Sequence, residues 1–246
     1  MRIKVLISGL LASALLMGAA SIQSVDLAMG AVAVILQLVF AYAWPRLIRA
    51  EAPWPLTVIL SVCSLASTAA VLFMPGVSPM SHGVEVIAVG VLLVFISQVL
   101  RGADAEGRMA GTVSGITGVV LAVLGSAWAA AGTVNYGFAL TLVTVIGLAG
   151  SGLVAMTRLP NRITMFLAPL VSLVLGAIAT ALPLGLHVVE GVVLGLLAGI
   201  LVSALRALAL STRSVRNLTG VLGLASGIVL ISGAASWYAV DLMVFS

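Results

Sequence analysis

Long apolar segments separated by short polar connections run along the whole sequence. A membrane-spanning helix needs about 20 mostly apolar residues, because each residue advances an α-helix by only about 1.5 Å. The connections contain turn-favouring residues, such as the prolines within 52–55. This pattern predicts nine membrane-spanning helices, over residues 5–23, 27–45, 56–73, 84–100, 109–132, 136–156, 163–182, 187–210 and 217–240.

Composition excludes a water-soluble protein. Of the 246 residues, 62% are hydrophobic and 7% are charged, whereas soluble domains carry about 25% charged residues. The chain has too few polar residues to cover a surface that faces water. The predicted fold class is therefore an all-α integral membrane protein, and residues 1–246 form one polytopic domain whose main partner is the lipid bilayer.

The basic residues predict how the chain is oriented in the membrane. Each lies before the first predicted span, on every second connection after it or, for Arg206, near the end of the eighth span that leads into such a connection, and such residues mark the cytoplasmic side. This predicts a multi-pass plasma membrane protein with a cytoplasmic N-terminus and an extracytoplasmic C-terminus. Because the charges are scattered between apolar segments, they do not indicate a nucleic-acid partner. The basic residues are Arg2, Lys4, Arg46, Arg49, Arg101, Arg108, Arg158, Arg162, Arg206, Arg213 and Arg216.

The first span has a second interpretation. Residues 1–21 begin with basic residues, continue with an apolar stretch and end with the small residues Gly18 and Ala20, as a cleaved signal peptide does. Residues 18–27 resemble residues 233–242 at the other end of the chain, and this similarity favours a retained first helix. The rest of the topology is the same in both cases.

Internal similarity predicts a repeat of four helices. Spans 4 and 8 align without a gap, and spans 1, 5 and 9 also resemble one another. A repeat of four helices keeps its orientation, so the copies are predicted to be parallel, with approximate units 1–108 and 109–216 and a final helix 217–240. The aligned polar and glycine positions of spans 4 and 8 are His82 with His187, Glu85 with Glu190, Gly90 with Gly195 and Arg101 with Arg206.

The only two histidines of the chain each precede a glutamate by three residues, at His82/Glu85 and His187/Glu190. Residues three apart share a helix face, so each pair can form a substrate- or ion-binding site at the outer side. If the repeats pack around a central axis, the two pairs can share one site. The alternative is structural: a glutamate in the first helical turn is favoured by the helix dipole, with Ser81 as the N-cap of span 4.

Three further polar residues are weaker candidates. Asp26 and Asp241 form a second repeat-related pair of acids on the outer side. Gln37 lies in the middle of the second span, where an amide needs a partner and indicates a hydrogen bond between helices. On the cytoplasmic side, Glu51 is expected to be a solvated loop charge, as are Asp104 and Glu106.

Glycines and aromatic residues support a compact bundle. Glycines at four-residue spacing predict close helix packing, and they occur at 107, 111, 115, 191, 195, 199, 223 and 227. Aromatic residues near the span ends predict a belt at the membrane surface. They are Tyr42, Trp44, Trp54, Trp128, Trp237 and Tyr238.

The sequence contains no motif that predicts an enzyme. It has neither the glycine-rich GxxxxGK[ST] loop of nucleotide-binding proteins nor the GxSxG motif of serine hydrolases. The single cysteine, Cys63, allows no intrachain disulfide, and HxxE lacks the HExxH spacing of zinc proteases. We therefore expect no enzymatic activity, no metal and no cofactor.

Two functions remain. The first is a permease-like transporter or lipid-handling protein, with a lipid or small solute as its partner and the His-x-x-Glu pairs near its outer mouth. The alternative is a non-catalytic scaffold or accessory subunit of a larger complex, whose partners are other membrane proteins. Repetition and the outer ionisable pairs favour the first, whereas short loops and abundant glycine faces favour the second.

Overall fold

Ten helices make up the fold in the computed structural model of the chain. The structure describes residues 2–22, 25–74, 78–102, 107–157, 159–182, 185–211 and 217–244. All regular elements within these ranges are helices, as the sequence predicts. They are α1 (Arg2–Ala20), α2 (Val25–Leu47), α3 (Pro53–Phe73), α4 (Gly83–Leu100), α5 (Arg108–Leu124), α6 (Ala127–Gly132), α7 (Gly137–Met156), α8 (Asn161–Ala179), α9 (Val188–Ser211) and α10 (Leu218–Val244).

The helices have the length and composition of membrane spans. Eight segments in the described part of the chain are long and apolar enough to cross a membrane: α2, α3, α4, α5 together with α6, α7, α8, α9 and α10. The apolar part of α1, Lys4–Ala20, is shorter. The chain is a multi-pass membrane protein, with α1 as the ninth predicted span.

The fifth predicted span, 109–132, is not one continuous helix. α5 ends before Gly125, and α6 begins after Ser126. The Ser126 N–H donates to the carbonyl of Val123, three residues back, instead of the carbonyl four residues back that an α-helix uses. A β-carbon at Gly125 would lie 2.6 Å from Leu230 Cδ2, so the glycine lets α10 approach the break closely.

The helices form two groups joined by α1 and α10. In the first group α2 packs on α3 and α5, and α4 packs on α3 and α5. In the second group α7, α8 and α9 all pack on one another. α10 packs on α2 and α9, and α1 packs on α10, α7 and α2. One apolar cluster with residues from all ten helices fills the interior.

The two ends of the bundle differ in charge. Apolar side chains bring together the starts of α1 and α10 and the ends of α2 and α9, near which Lys4, Arg46 and Arg206 lie; these side chains are Val5, Val221, Leu47 and Leu205. We call this the arginine end, and the opposite end, where His82 and His187 lie, the histidine end. The separation of charge agrees with the predicted topology, while the membrane side of each end stays a prediction.

The four-helix repeat and its parallel orientation also stay predictions. The two predicted repeat units do not pack identically. α7 packs on both α8 and α9, whereas α2, which the predicted repeat aligns with α7, packs on α3 and α5. The same sequence pattern is therefore used in two different packing arrangements.

The predicted aromatic belt is wrong for two of its tryptophans. Trp54 is 64% exposed and Tyr42 is 46% exposed, as residues of a belt should be. Trp128 and Trp237 are instead buried in the core. The Trp128 indole N–H donates to the carbonyl of Val229 at 2.7 Å, so this side chain joins α6 to α10.

The glycines pack closely against neighbouring helices, as predicted. A β-carbon at Gly195 would overlap the carbonyl oxygen of Ser172, and one at Gly191 would contact the backbone of Gly176. At Gly115 it would lie 2.8 Å from a methyl group of Val94. These contacts are all within the chain, so the glycine faces are occupied by its own helices.

Candidate functional site

His82 and Glu85 form a pair at the start of α4. His82 is the N-cap of the helix, so the predicted N-cap, Ser81, is wrong by one residue. Glu85 is the third helical residue, and its Oε2 lies 3.1 Å from Nδ1 of His82. The side chain of Glu85 is 75% exposed and that of His82 is 29% exposed. The predicted contact between the two residues is present, in an open position at the edge of the bundle.

His187 and Glu190 have the same spacing but a different contact. α9 begins at Val188, and the backbone N–H of His187 donates to Oε2 of Glu190 at 2.9 Å. An acidic residue at the third helical position that accepts from the N-cap N–H is one half of a capping box. This contact supports the structural interpretation of the second pair.

The two pairs lie on helices that occupy different groups. α4 packs on α3 and α5, whereas α9 packs on α8, α7 and α10. The structure thus does not pair the two His-x-x-Glu sequences around a shared helix interface.

Glu190 lies close to another ionisable group of the histidine end, Tyr136, in the connection before α7. Burial raises the pKa of Tyr136, and the carboxylates of Asp241 and Glu190 raise it further because they disfavour the phenolate. Asp26 is exposed in the first turn of α2, and a β-carbon at Gly132 would lie 3.1 Å from its Cα. Within the described ranges, no group of three or more His, Cys, Asp or Glu residues could hold a metal ion.

Gln37 makes the hydrogen bonds between helices that its position predicts. It is fully buried. Its Nε2 donates to the carbonyl of Ala122 at 2.7 Å, and its Oε1 accepts from the hydroxyl of Thr68 at 2.8 Å. Because the helix break directs the Ser126 N–H to Val123, Gln37 supplies a donor to the Ala122 carbonyl beside the break. The residue joins α2, α3 and α5 in the membrane interior.

A cavity of about 270 Å³ opens at the arginine end, between the ends of α2 and α4 and the starts of α3 and α5. Polar side chains and glycines line much of its wall. They are Arg49, Glu51, Gln98, Arg101, Gly107, Gly111 and Ser114. No motif in the sequence predicts this site.

The wall of the cavity is held by an ion pair across two connections. Nη2 of Arg101 donates to Oε2 of Glu51 at 2.6 Å, and Nη1 of Arg101 donates to Oε1 of Gln98 at 2.9 Å. Glu51 is thus a partner of Arg101 and not merely a solvated loop charge. Asp104 and Glu106, which carried the same expectation, lie outside the described residues.

Two glycines leave space inside this cavity. Gly107 has φ of 67°, a conformation that disfavours residues with a β-carbon. A β-carbon there would lie 3.0 Å from Oε1 of Glu51, and one at Gly111 would lie 3.0 Å from Oε1 of Gln98. Glycine spacing in the sequence reveals close packing, but it cannot reveal that these two glycines face a cavity.

The arginine that aligns with Arg101 has a different role. Arg206 is largely buried. Its Nη2 donates to the carbonyl of Leu159 at 3.2 Å, in the connection between α7 and α8. The first group therefore uses its arginine beside an open cavity, and the second group uses the corresponding arginine to hold a connection.

No protein-family model matches the chain, and neither a curated protein nor a solved structure matches it. The arginine end has a partly open cavity lined by charged and amide side chains, whereas the His-x-x-Glu pairs at the histidine end are exposed or serve as helix caps.

Proposed function

We propose that the protein is a permease-like carrier of a small solute or a lipid headgroup. The observation that carries the proposal is the cavity of about 270 Å³ at the arginine end, which combines two arginines, a glutamate and an amide. Isolated charged groups at the ends of membrane helices need no cavity, because they reach the headgroups directly. A partly open cavity with apolar walls and a few polar groups that converge on it fits a bound polar molecule.

Polar residues deeper in the first group give the carrier a means of rearranging. Gln37 and Thr68 join α2, α3 and α5 through side chains that can exchange partners, at the position of a helix break. Broken helices are a common feature of transporter binding sites. The break after Leu124 is the element that we expect to move during a transport cycle.

The second end of the pathway is proposed to lie at the histidine end. His82 and Glu85 are accessible there, and the charges of Glu190 and Asp241 both act on Tyr136. These groups offer protons or negative charge to a solute that enters or leaves. With the predicted topology, the arginine end faces the cytoplasm and the histidine end faces the outside of the plasma membrane, and the protein performs no chemical reaction on its solute.

An efflux assay tests the carrier proposal. The purified protein is reconstituted in liposomes loaded with a defined mixture of monocarboxylates, sugar phosphates, amino acids and sugars, and the retained solutes are measured by mass spectrometry. We expect one chemical class to leave faster than from protein-free liposomes. Equal retention of every class with and without protein would count against a carrier.

The alternative, a scaffold or accessory subunit, is supported by the position of α4. Only 17% of this span is buried inside the structure, the lowest value among the eight long spans. Another membrane protein can therefore dock along α4. The glycine faces no longer favour this alternative, because the chain's own helices occupy those described above.

Purification in a mild detergent separates the two proposals. Co-purifying proteins and lipids are identified by mass spectrometry, with the same preparation from cells that lack the protein as the control. A stoichiometric membrane protein partner that is lost when Leu92 and Phe95 on the exposed face of α4 are both replaced by Ala would support the scaffold. A chain that purifies alone with one enriched lipid or solute would support the carrier.

A further inference from the structure

The described lining of the cavity carries a net positive charge. Arg49 and Arg101 contribute two positive charges and Glu51 contributes one negative charge, which gives +1. Glu51 is committed to Arg101. Among the residues that the structure describes, no carboxylate forms an ion pair with Arg49, so its guanidinium is available to a ligand.

The backbone of Arg49 is in a conformation that normally selects glycine. Its φ is 55°, the one positive φ among the described non-glycine residues. The N–H of Ala50 donates to the carbonyl of Pro45 at 2.8 Å, and the N–H of Arg49 donates to the carbonyl of Arg46 at 3.3 Å. These are the two bonds of a Schellman motif, in which the residue at the position of Arg49 is usually glycine.

An arginine at this position is unfavourable for the backbone. A left-handed conformation destabilises a residue with a β-carbon by about 1–2 kcal/mol relative to its preferred conformations. Backbone strain of this kind is found where a side chain serves a function. Since the side chain of Arg49 lines the cavity, ligand binding is a direct reason for an arginine there.

The start of α5 adds further donors to the same cavity. Gly107 and Ala110 line it, as does Gly111, whose N–H already donates to the carbonyl of Gly107 at 2.8 Å. The first backbone N–H groups of a helix have no acceptor within the helix, and together with the helix dipole they favour an anion. Arg101 is held beside them by Glu51 and Gln98, so it is oriented before a ligand arrives.

We propose that this cavity binds a small organic anion through a carboxylate or phosphate group, with Arg49 as its main ligand-binding residue and Arg101 and the start of α5 as supporting donors. This substrate class rests on the proposed carrier function. A volume of about 270 Å³ is below the roughly 300–1,000 Å³ of pockets for drug-sized molecules. The site therefore fits a small metabolite or a phospholipid headgroup.

Thermal unfolding with defined probes tests the site. The intact protein in a non-ionic detergent is titrated with propionate and with glycerol 3-phosphate, with sodium chloride at equal ionic strength as the reference. A third arm compares nanodiscs with and without phosphatidylglycerol. An anion that binds only the folded state raises the melting temperature in a saturable manner.

Two variants make the result specific. Arg49→Gly removes the side chain and relieves the backbone strain, so we expect a higher melting temperature without ligand and a Kd for the anion raised about tenfold or more. Arg162→Gln removes an exposed arginine of the second group that lies outside the cavity, so the Kd should stay that of the natural protein.

Each outcome decides the proposal. Saturable stabilisation by propionate or glycerol 3-phosphate that Arg49→Gly loses supports a free metabolite, and a response confined to phosphatidylglycerol with the same Arg49 dependence supports a lipid headgroup. No response to any probe, or an equal response of both variants, overturns the anion site. Anion binding without efflux from liposomes would overturn the carrier alone, and efflux of only neutral or cationic solutes without anion binding would overturn the anion site alone.

Discussion

The first helix group, α2 to α5, and the second, α7 to α9, differ in how closely their helix backbones approach one another. In the first group, polar side chains such as Gln37 and Thr68 reach from helix to helix. In the second group, α8 and α9 approach so closely that the backbone at Gly176 touches the backbone at Gly191. Interfaces of small residues bring backbones together with little freedom to adjust, whereas side-chain contacts leave space and can change partners. The cavity at the arginine end lies in the first group.

Gly90 and Gly195, which the predicted repeat aligns, give the test of this comparison with the largest expected effect. Gly195→Ala places a methyl group against the carbonyl oxygen of Ser172, where the backbone cannot move without separating α8 from α9. Overpacking typically destabilises by about 1–3 kcal/mol, and we expect about 3 kcal/mol here. The check is the melting temperature of the purified protein in detergent.

The matched variant is Gly90→Ala in α4. Its methyl group would lie 2.5 Å from Cγ1 of Val119 and 2.8 Å from Sγ of Cys63, which belong to side chains that can shift. We expect a loss of about 1 kcal/mol or less, since alanine also favours the helix by up to about 1 kcal/mol. Equal losses at the two positions would show that the two groups are equally rigid.

Gln37→Leu should have the second largest effect, within the first group. It leaves the Ala122 carbonyl and the Thr68 hydroxyl without their partner in the membrane interior. Hydrogen bonds between membrane helices contribute about 0.6 kcal/mol on average and up to about 1.7, and we expect a loss near the upper value because two bonds disappear. Denaturant unfolding followed by circular dichroism measures it.

Thr144→Val in α7, in the second helix group, is the control for Gln37→Leu. Its hydroxyl donates to Oγ of Ser236 at 2.8 Å between α7 and α10, so a single bond is lost. We expect a loss of about 0.6 kcal/mol. A larger loss for Thr144→Val than for Gln37→Leu would contradict the view that polar contacts matter most in the first group.

The sequence predicts helices better than contacts between them. Span 84–100 is found as Gly83–Leu100, and span 136–156 as Gly137–Met156, because apolar length alone sets these elements. The break after Leu124 was missed, since the apolar pattern continues through it and its partners, Gln37 and Leu230, are distant in the sequence.

Contacts of candidate residues were likewise predicted when the partners are close in the sequence and missed when they are distant. The local contacts His82 with Glu85 and His187 with Glu190 follow from a spacing of three residues. Glu51 and Arg101, fifty positions apart, meet only in the folded chain. A positive φ at an arginine leaves no trace in a single sequence.

The third prediction compares the two glutamates of the repeat. Glu85→Gln and Glu190→Gln remove a negative charge from the first turn of α4 and α9, which is worth about 0.3–1 kcal/mol at a helix start. Glutamine can complete a capping box as glutamate does, so Glu190→Gln should change stability less than Glu85→Gln. Melting temperatures of the single variants test this order.

The double variant, with both glutamates changed to glutamine, tests the histidine end as part of the pathway. If the carrier proposal holds, solute efflux from liposomes should be abolished while the protein remains folded. Retained efflux in a folded double variant would limit both residues to a role in helix capping and would leave the arginine-end cavity as the site that matters.

The smallest expected effect is on the pKa of Tyr136. Glu190 is among the charges that raise this pKa, whereas Glu85 is not. The pKa of Tyr136 is raised by burial and by the charges of Asp241 and Glu190, above an ordinary value of about 10. In the unfolded chain the phenol ionises first, so its contribution to stability is complete below about pH 10 and is lost as the pH rises through the folded-state pKa. Tyr136→Phe should weaken this alkaline loss of stability.

Ultraviolet titration of tyrosinate measures the shift directly, in a background where Tyr42 and Tyr238 are changed to phenylalanine. Glu190→Gln should move the pKa of Tyr136 back towards its ordinary value, because one of the two repelling carboxylates is gone. Glu85→Gln should leave it unchanged, because Glu85 lies beside His82 at the start of α4. Equal shifts in the two variants would mean that the starts of α4 and α9 are closer in solution than in the structure, and the separation of the two helix groups would then have to be reconsidered.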